Sequence, residues 1–463
     1  MSEEIVKKRR LDENIEARLA RLQEHFSSFG QEHVFGSNFD SLAEEGKCSL
    51  LDQLEKLDLA MVNEAYKSVM AGNQGGGQES EISPVQNIAN LADAAEEQKS
   101  AWWDTGLNAI CEGRVAALIL SGGQGTRLGY DGAKGTYSMP LPSGKTLFQL
   151  FCERVFRLKQ LAREKSKSET TPSLPLYIMT SPLNDKEIKD FFSAHNHFDL
   201  PATDVVFFAQ GTLPCLTLDG KIILERPDLV AQAPAGNGSI YPALVEGGAL
   251  EDMSRRGVEF LHVFSVDNAI CTVADPVFLG YCITQGADCG NKVVWKADIN
   301  EKVGVCVEKD GKPSILEYSE MPPELNEQVD EAGKPVYGAG NICNHFFTVA
   351  FIRDTVLPRF SGCYHAARKK IPFADPATGE TVRPGAPNGL KLEAFIFDAF
   401  PLAAAGRFAL LEVPRAGEFA PVKNAPGAAA GDTPEAAAAA LHAQGRRWLR
   451  AAGAALVGPP GEE

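Results

Sequence analysis

The sequence predicts an α/β protein built on a mostly parallel mixed sheet, and three observations carry that prediction. Apolar runs of strand length alternate with amphipathic stretches of helix length through the middle of the chain. Each candidate ligand motif directly follows one of those runs. The 463 residues are 44% apolar, enough for one large core with flanking pieces. Val115–Leu120, Leu176–Thr180, Asp204–Gln210 and Glu259–Asn268 read as strands, and Leu147–Ala162 sets Leu150, Phe151, Val155 and Leu158 on one helical stripe. In parallel sheets ligands bind beyond the carboxyl ends of the strands, which is where Ser121–Gly129, Gln210-Gly211 and Asp267-Asn268 fall.

Upstream, Ile15–Met70 carries helical periodicity, with Leu19, Leu22 and Phe26 along one face, and the glycine-rich, polar Ala71–Glu81 reads as a linker. Beyond Lys423 the composition turns alanine-rich; Glu435–Ala452 is expected to form a helix capped by Thr433 or Asp432, and GPPGEE stops it. These shifts set three expected regions: 1–110 helical with its linker near 71–81, 111–424 the α/β domain, and 425–463 a short helix and tail.

A formal charge of -16 argues against a nucleic-acid surface, while leaving room for a locally basic phosphate pocket. Met1–Asn14 is charged rather than apolar, and no apolar stretch reaches the ~18 residues of a membrane span, so the expected compartment is the cytoplasm. The ten cysteines lack any CxxC and the eight histidines any HxxxH; neither a disulfide framework nor structural zinc is expected.

Leu118–Gly129 reads LILSGGQGTRLG, a strand opening into a glycine-rich loop with Arg127, and Lys134 follows. Glycines let backbone N–H groups crowd around oxyanions, and two cations suit charge on phosphorus, so this loop is expected to hold a nucleoside triphosphate. It is neither a P-loop, since the one GKT (Gly144–Thr146) has Met139 where the first glycine belongs, nor GxGxxG, since Gly129 comes one residue late after Gly123 and Gly125. A plain strand-to-helix turn would use the same glycines.

SGGQGTRLG followed by AKGTYSMPLPSGKTLFQ, with Lys134 at its head, resembles the signature of the eukaryotic UDP-N-acetylhexosamine (UDP-N-acetylglucosamine) pyrophosphorylases. These are sugar nucleotidyltransferases whose pattern is GGxGTRLG and then PKG. The resemblance runs from about Arg114 to Lys423, with several motifs in the family's order. It implies a Rossmann-like nucleotidyltransferase domain between the helical region and the alanine-rich tail. The implied enzyme is a uridylyltransferase that makes UDP-N-acetylglucosamine, with UDP-N-acetylgalactosamine as a second product, and pyrophosphate from UTP and the sugar 1-phosphate.

Such transfer needs in-line positioning and cations on the non-bridging oxygens rather than a nucleophilic side chain. Arg127 and Lys134 are expected to serve there, and the resemblance adds Lys423 of EFAPVKN, which alone would read as a surface lysine. Asp267, closing an apolar strand in VFSVDNA, is expected to hold Mg2+ (or Mn2+); on local sequence it serves equally as a helix cap. The resemblance sets the uracil against Gln210 and the backbone of Leu120, Ser121, Gly122 and Gly123, and brings Gly236 and Asn237 of APAGNGSIY to the base or sugar, although an Asn-Gly turn has the same look. For the sugar it implies Gly304, Glu317 and Asn341, with Lys391 toward its phosphate; Phe395 and Phe397 would form one apolar wall if extended.

Three residues depart from the family pattern: Ser121 for alanine, Ala133 for the proline of PKG, which predicts a less rigid Lys134 loop, and Ala235 for a polar residue. The chain also stops where family members continue into a small β-rich domain, so a C-terminally shortened member is expected, with Lys423 more loosely held. The expected partners are the two small substrates, with no nucleic acid and no membrane, and a homodimer is compatible. Two rivals stay open: a UDP-sugar pyrophosphorylase of different or broader sugar choice, and a catalytically weak paralogue that binds nucleotide sugars.

Overall fold

The computed structural model describes residues 15–73, 80–360 and 364–456, and its chain divides into two compact units. The first takes the described parts of Met1–Gln78 and Arg359–Phe395 together with Gly211–Ser239; the second takes those of Glu79–Gln210, Ile240–Pro358 and Ile396–Glu463. This division cuts across the three consecutive regions expected from composition.

In the first unit, helices Ile15–Ser28, Glu44–Leu54 and Leu59–Asn73 bury the expected apolar stripes: Leu22, Phe26, Leu50, Leu51 and Leu54 pack with Leu213, Leu216, Ile222 and Leu392. Those partners lie more than a hundred residues downstream, so the helices are half of a core rather than a domain. Leu59–Asn73 also runs into the expected linker, because Ala71, Gly72 and Asn73 continue the helix; residues 74–79 of that linker, and GPPGEE, lie outside the described residues. A three-stranded antiparallel sheet joins His365–Lys369, Gly389–Glu393 and Leu216–Thr217.

The second unit holds the large sheet. Its main path runs Ala89–Asn90, Phe408–Glu412, Cys289–Trp295, Ala339–Thr348, Phe260–Ser265, Val115–Leu120, Leu176–Thr180, Val205–Ala209. Every neighbouring pair is parallel except those of Ala339–Thr348, which is antiparallel to both neighbours. Val115–Leu120 and Leu176–Thr180 are buried at every position, as strands covered on both faces must be. Helix Leu147–Ser166 is the crossover between them. Helix Glu96–Cys111 belongs to this unit too, packing Trp102 edge-on against Tyr281 of helix Pro276–Thr284 with ring centroids 5.1 Å apart.

Val115–Leu120 sits where the topology switches. The chain leaves it toward Leu176–Thr180 on one side, and Phe260–Ser265 returns on the other. The crevice beyond such a strand is where open α/β sheets bind ligands. The alanine-rich tail folds as helix Pro434–Ala451, capped by Thr433, whose Oγ1 accepts from Ala436 N–H at 3.3 Å. It docks on this unit through Ala437 and Leu441.

Candidate active site

The glycine loop is pinned at both ends. As it leaves the strand, Ser121 N–H donates to Met179 O (2.8 Å) and Asn184 Nδ2 donates to Ser121 O (3.0 Å). Gly125 N–H reaches Gly132 O (2.9 Å), Gln124 bridges Ala133, and Lys134 N–H donates to Gly123 O (3.4 Å). At the position of the missing proline the loop has a tie of another kind. Ala133 is buried and its N–H donates to Glu187 Oε1 at 2.8 Å, a bond that a proline could not make. Arg127 stands exposed in the short 3-10 turn Thr126–Leu128.

Gln210, ending Val205–Ala209, donates its backbone N–H to Thr180 O (2.9 Å) and is only 6% exposed, so it is not a solvated strand end. Its amide lies over Gly122, where a Cβ would stand 2.2 Å from Gln210 Nε2. Only glycine allows this approach.

Asp267 follows Phe260–Ser265, and its Oδ2 lies 3.8 Å from Lys134 Nζ. Its carbonyl accepts from Val422 N–H at 2.9 Å, which brings Lys423 to the same place in the fold; Lys423 Nζ lies 3.6 Å from Asp432 Oδ2. Cys343 marks the shared neighbourhood. Burial, then the carboxylates of Asp267 and Glu317, push its thiol up to about 12, with Lys423 opposing. Asn341 N–H donates to Gly304 O (2.8 Å), and a Cβ at Gly304 would meet Glu317 Oε1 at 2.7 Å. Arg127, Lys134, Lys423, Asp267, Gln210, the loop Leu120–Gly123 and the trio Gly304, Glu317 and Asn341 thus all belong to the second unit.

Gly236, Asn237, Lys391 and Phe395 belong to the first unit, where Asn237 opens the turn Asn237–Ser239. Gly236 has φ +85°, and a Cβ there would stand 2.3 Å from Ala394 O. The Cα face of this glycine is therefore packed against the chain's own backbone. Ala394 N–H donates to Ala235 O and Gly238 N–H to Ala394 O, both at 2.8 Å, and Ala235 contributes its backbone where a polar side chain was the family's choice. The Phe395 ring packs 4.8 Å from that of His365. The single wall of Phe395 and Phe397 does not form: the chain turns at Ile396 into the 3-10 helix Ile396–Leu402, and Phe397 is 5% exposed inside the second unit.

Sequence reasoning missed the residues that hold the loops. Asn184 and Glu187 lie within SPLNDKE, a stretch with no motif of its own, and Asn268 stands out in the sequence only as Asp267's neighbour. No spacing signals them, because each acts on backbone far away in sequence. One signal was present: Ser121, a departure from the family pattern, carries a buried Oγ with no hydrogen-bond partner among the described residues.

For a metal, no group of three or more His, Cys, Asp or Glu side chains gathers among the described residues. Asp267 is a single partly buried carboxylate at a phosphate-type loop. That donor set fits Mg2+, which is commonly held by one or two carboxylates and the substrate's own phosphates.

A glycine loop with two cations at a topological switch point defines a nucleotide-handling α/β enzyme. The chain matches the family model described as UTP--glucose-1-phosphate uridylyltransferase over residues 78–429. It is 43% identical to the human UDP-N-acetylhexosamine pyrophosphorylase-like protein 1, covering 96% of this chain and 87% of that one. With UDP-N-acetylglucosamine diphosphorylase 2 of Arabidopsis thaliana the identity is 41%, covering 94% and 86%. Among solved structures, the uridine diphosphate N-acetylglucosamine pyrophosphorylase of Trypanosoma brucei superposes with a TM-score of 0.81 at 31% identity, covering 94% of this chain and 86% of that one. The chain belongs to the UTP--glucose-1-phosphate uridylyltransferase family and, within it, to the UDP-N-acetylhexosamine pyrophosphorylases.

Proposed function

We propose that this protein transfers the uridylyl group of UTP to N-acetylglucosamine 1-phosphate, with N-acetylgalactosamine 1-phosphate as a second acceptor. A phosphate oxygen of the sugar phosphate attacks the α-phosphorus. The bond to the bridging oxygen breaks, and pyrophosphate leaves with the electron pair. The observation that carries the reading is the convergence, at the carboxyl edge of Val115–Leu120 and Phe260–Ser265, of a glycine loop with Lys134 beside Asp267, itself tied by backbone to the segment bearing Lys423. Lys134 and Lys423 hold phosphate oxygens, Arg127 meets the charge that develops during transfer, and the edge of the uracil is read by Gln210. Asp267 would hold Mg2+ (or Mn2+), which supplies neutralisation of the polyphosphate. Gly304, Glu317 and Asn341 are assigned to the sugar. No helix among the described residues is long and apolar enough to cross a membrane; the proposed compartment is the cytoplasm.

The test is pyrophosphate release from UTP with a panel of sugar 1-phosphates, with and without Mg2+ and after chelation. The N-acetylated acceptors are expected to give the highest kcat/KM, and chelation to abolish turnover. Preference for glucose 1-phosphate would move the protein to the broader-specificity rival, and binding of nucleotide sugar without turnover to the inactive one.

A further inference from the structure

Next to the Asp267 turn lies a buried ion cluster that the reaction, as proposed, does not touch. Lys292, on strand Cys289–Trp295, is 0% exposed, and its Nζ lies 2.6 Å from Asp275 Oδ2 and 3.1 Å from Glu418 Oε2. Glu418 Oε1 accepts from Thr272 Oγ1 at 3.3 Å, and Asp275 Oδ1 caps helix Pro276–Thr284 by accepting from Val277 N–H at 3.0 Å. A second cation, Arg154, donates to Ala269 O at 2.7 Å and Cys271 O at 3.0 Å. Two cations and two carboxylates therefore balance. Burial alone lowers Lys292, but Asp275 and Glu418 outweigh it and hold the ammonium above the ordinary lysine range. Burial also raises Glu418 above the usual carboxylate range, against the pull of Lys292.

Buried ion clusters of this kind are weak evidence for stability, since well-packed apolar residues in their place often do as well or better. What this one grips is more informative. Asn268 Nδ2 donates to Glu418 O (2.7 Å), and Asn268 Oδ1 accepts from Ala420 N–H (3.0 Å). Ala269 N–H then donates to Ala420 O (3.2 Å), and Val422 N–H to Asp267 O (2.9 Å), on either side of a bridge between Asn268 and Pro421. Two irregular segments are zipped together by these four bonds. Asp267 stands at the end of one and Lys423 directly follows the other. Glu418, whose side chain Lys292 holds, is the first residue of the zipper, and Thr272, held by Glu418, closes the turn on the other side. Helix Pro434–Ala451 adds Gln444, whose Nε2 donates to Ile270 O (3.2 Å) and Gly417 O (3.1 Å).

We propose that Lys292 is a positioning residue: through Glu418 and Asp275 it locks the crossing of Asp267–Ala269 with Glu418–Lys423, and so sets the Asp267 carboxylate relative to the Lys423 ammonium. This rests on the assignment of Asp267 and Lys423 to the phosphates. A displacement of about 1 Å at a reacting centre costs on the order of 100-fold in rate, so the lock belongs to turnover more than to ground-state binding.

The experiment compares the full chain with Lys292→Met and Glu418→Gln, the second being a near-isosteric change that keeps an acceptor for Thr272. Three readings are taken: pyrophosphate release, thermal midpoint, and hydrogen exchange resolved to single amides. For both variants kcat is expected to fall 10- to 100-fold with KM for UTP changed less than about threefold. Exchange should accelerate at the amides of Ala269, Ala420 and Val422 while those of Ile119 and Val263 in the sheet stay protected. Turnover within twofold of the parent in the folded variants would overturn the proposal, as would protection lost evenly across sheet and crossing, which marks a merely structural role. If the parent chain releases no pyrophosphate with any sugar phosphate, the functional reading fails by itself, and the exchange pattern still decides whether Lys292 holds the crossing.

Discussion

Each of the loop's groups makes a separable demand. Arg127 is exposed and makes no ion pair among the described residues, so the fold does not need its charge. Arg127→Ala is expected to lower kcat roughly 100-fold, as loss of a group aimed at developing charge does, with an unchanged thermal midpoint; steady-state kinetics beside a melting curve check both. Gln210 is different because its amide fills the space over Gly122. Gln210→Ala should erode the preference for UTP over CTP, read as the ratio of kcat/KM values, while acceptor choice stays fixed. Ser121→Ala tests the orphaned hydroxyl. Its removal from a buried site without a partner should leave the folded state as stable or more so, and a rise in KM for UTP would show that the Oγ meets the nucleotide.

The central elements were legible because their burial is local in sequence. Val115–Leu120 and Leu176–Thr180 run over the residues expected, since strands buried on both faces are continuous apolar runs bounded by polar turns. Thr433 was legible as a cap for the same reason, its acceptor lying three residues from the donor. Where partners are distant, the sequence is silent. Nothing near Gly236 names Ala394, and no local signal announces the turn at Ile396 on which the conditional reading of Phe395 and Phe397 as one wall depends. The terminal helix was legible from its alanine content, but its contacts were not: Gln444 satisfies two carbonyls that flank the crossing of Asp267–Ala269 with Glu418–Lys423. Gln444→Ala leaves both without that donor and is expected to cost about 1–3 kcal/mol of stability. It should lower kcat in the direction of the Lys292 variants, but by less. Chemical denaturation with parallel kinetics measures both, and an unchanged midpoint would show that the helix contributes nothing through this side chain.

Across the whole molecule, two histidines in the large sheet set how stability responds to acid. His262 and His345 are fully buried, and burial lowers them to about 4 and about 3. Ala274 N–H donates to His262 Nδ1 at 3.0 Å, so the proton is on Nε2, which faces Asn344 Oδ1 at 2.7 Å. Both nitrogens of His345 lack partners among the described residues, and its ring packs edge-on against Phe400 and Phe347. Unfolded, each imidazole binds a proton near pH 6.5; folded, both stay neutral down to the lowered values. Between these limits the unfolded state holds more protons, so stability is complete above about pH 6.5 and falls as the pH drops, by up to ~1.4 kcal/mol per pH unit for each histidine. Glu418, raised by burial, has the opposite slope above the usual carboxylate range, but it is common to parent and variant, so comparing the two between about pH 6.5 and 5.5 isolates the histidine. His345→Phe keeps an aromatic ring among aromatic neighbours and removes one titrating group. Its denaturation midpoint at pH 7.5 is expected to match or exceed the parent's, and its loss of stability across that window to be about half. An unaltered slope would assign the acid sensitivity to other groups and leave His345 without a part in it.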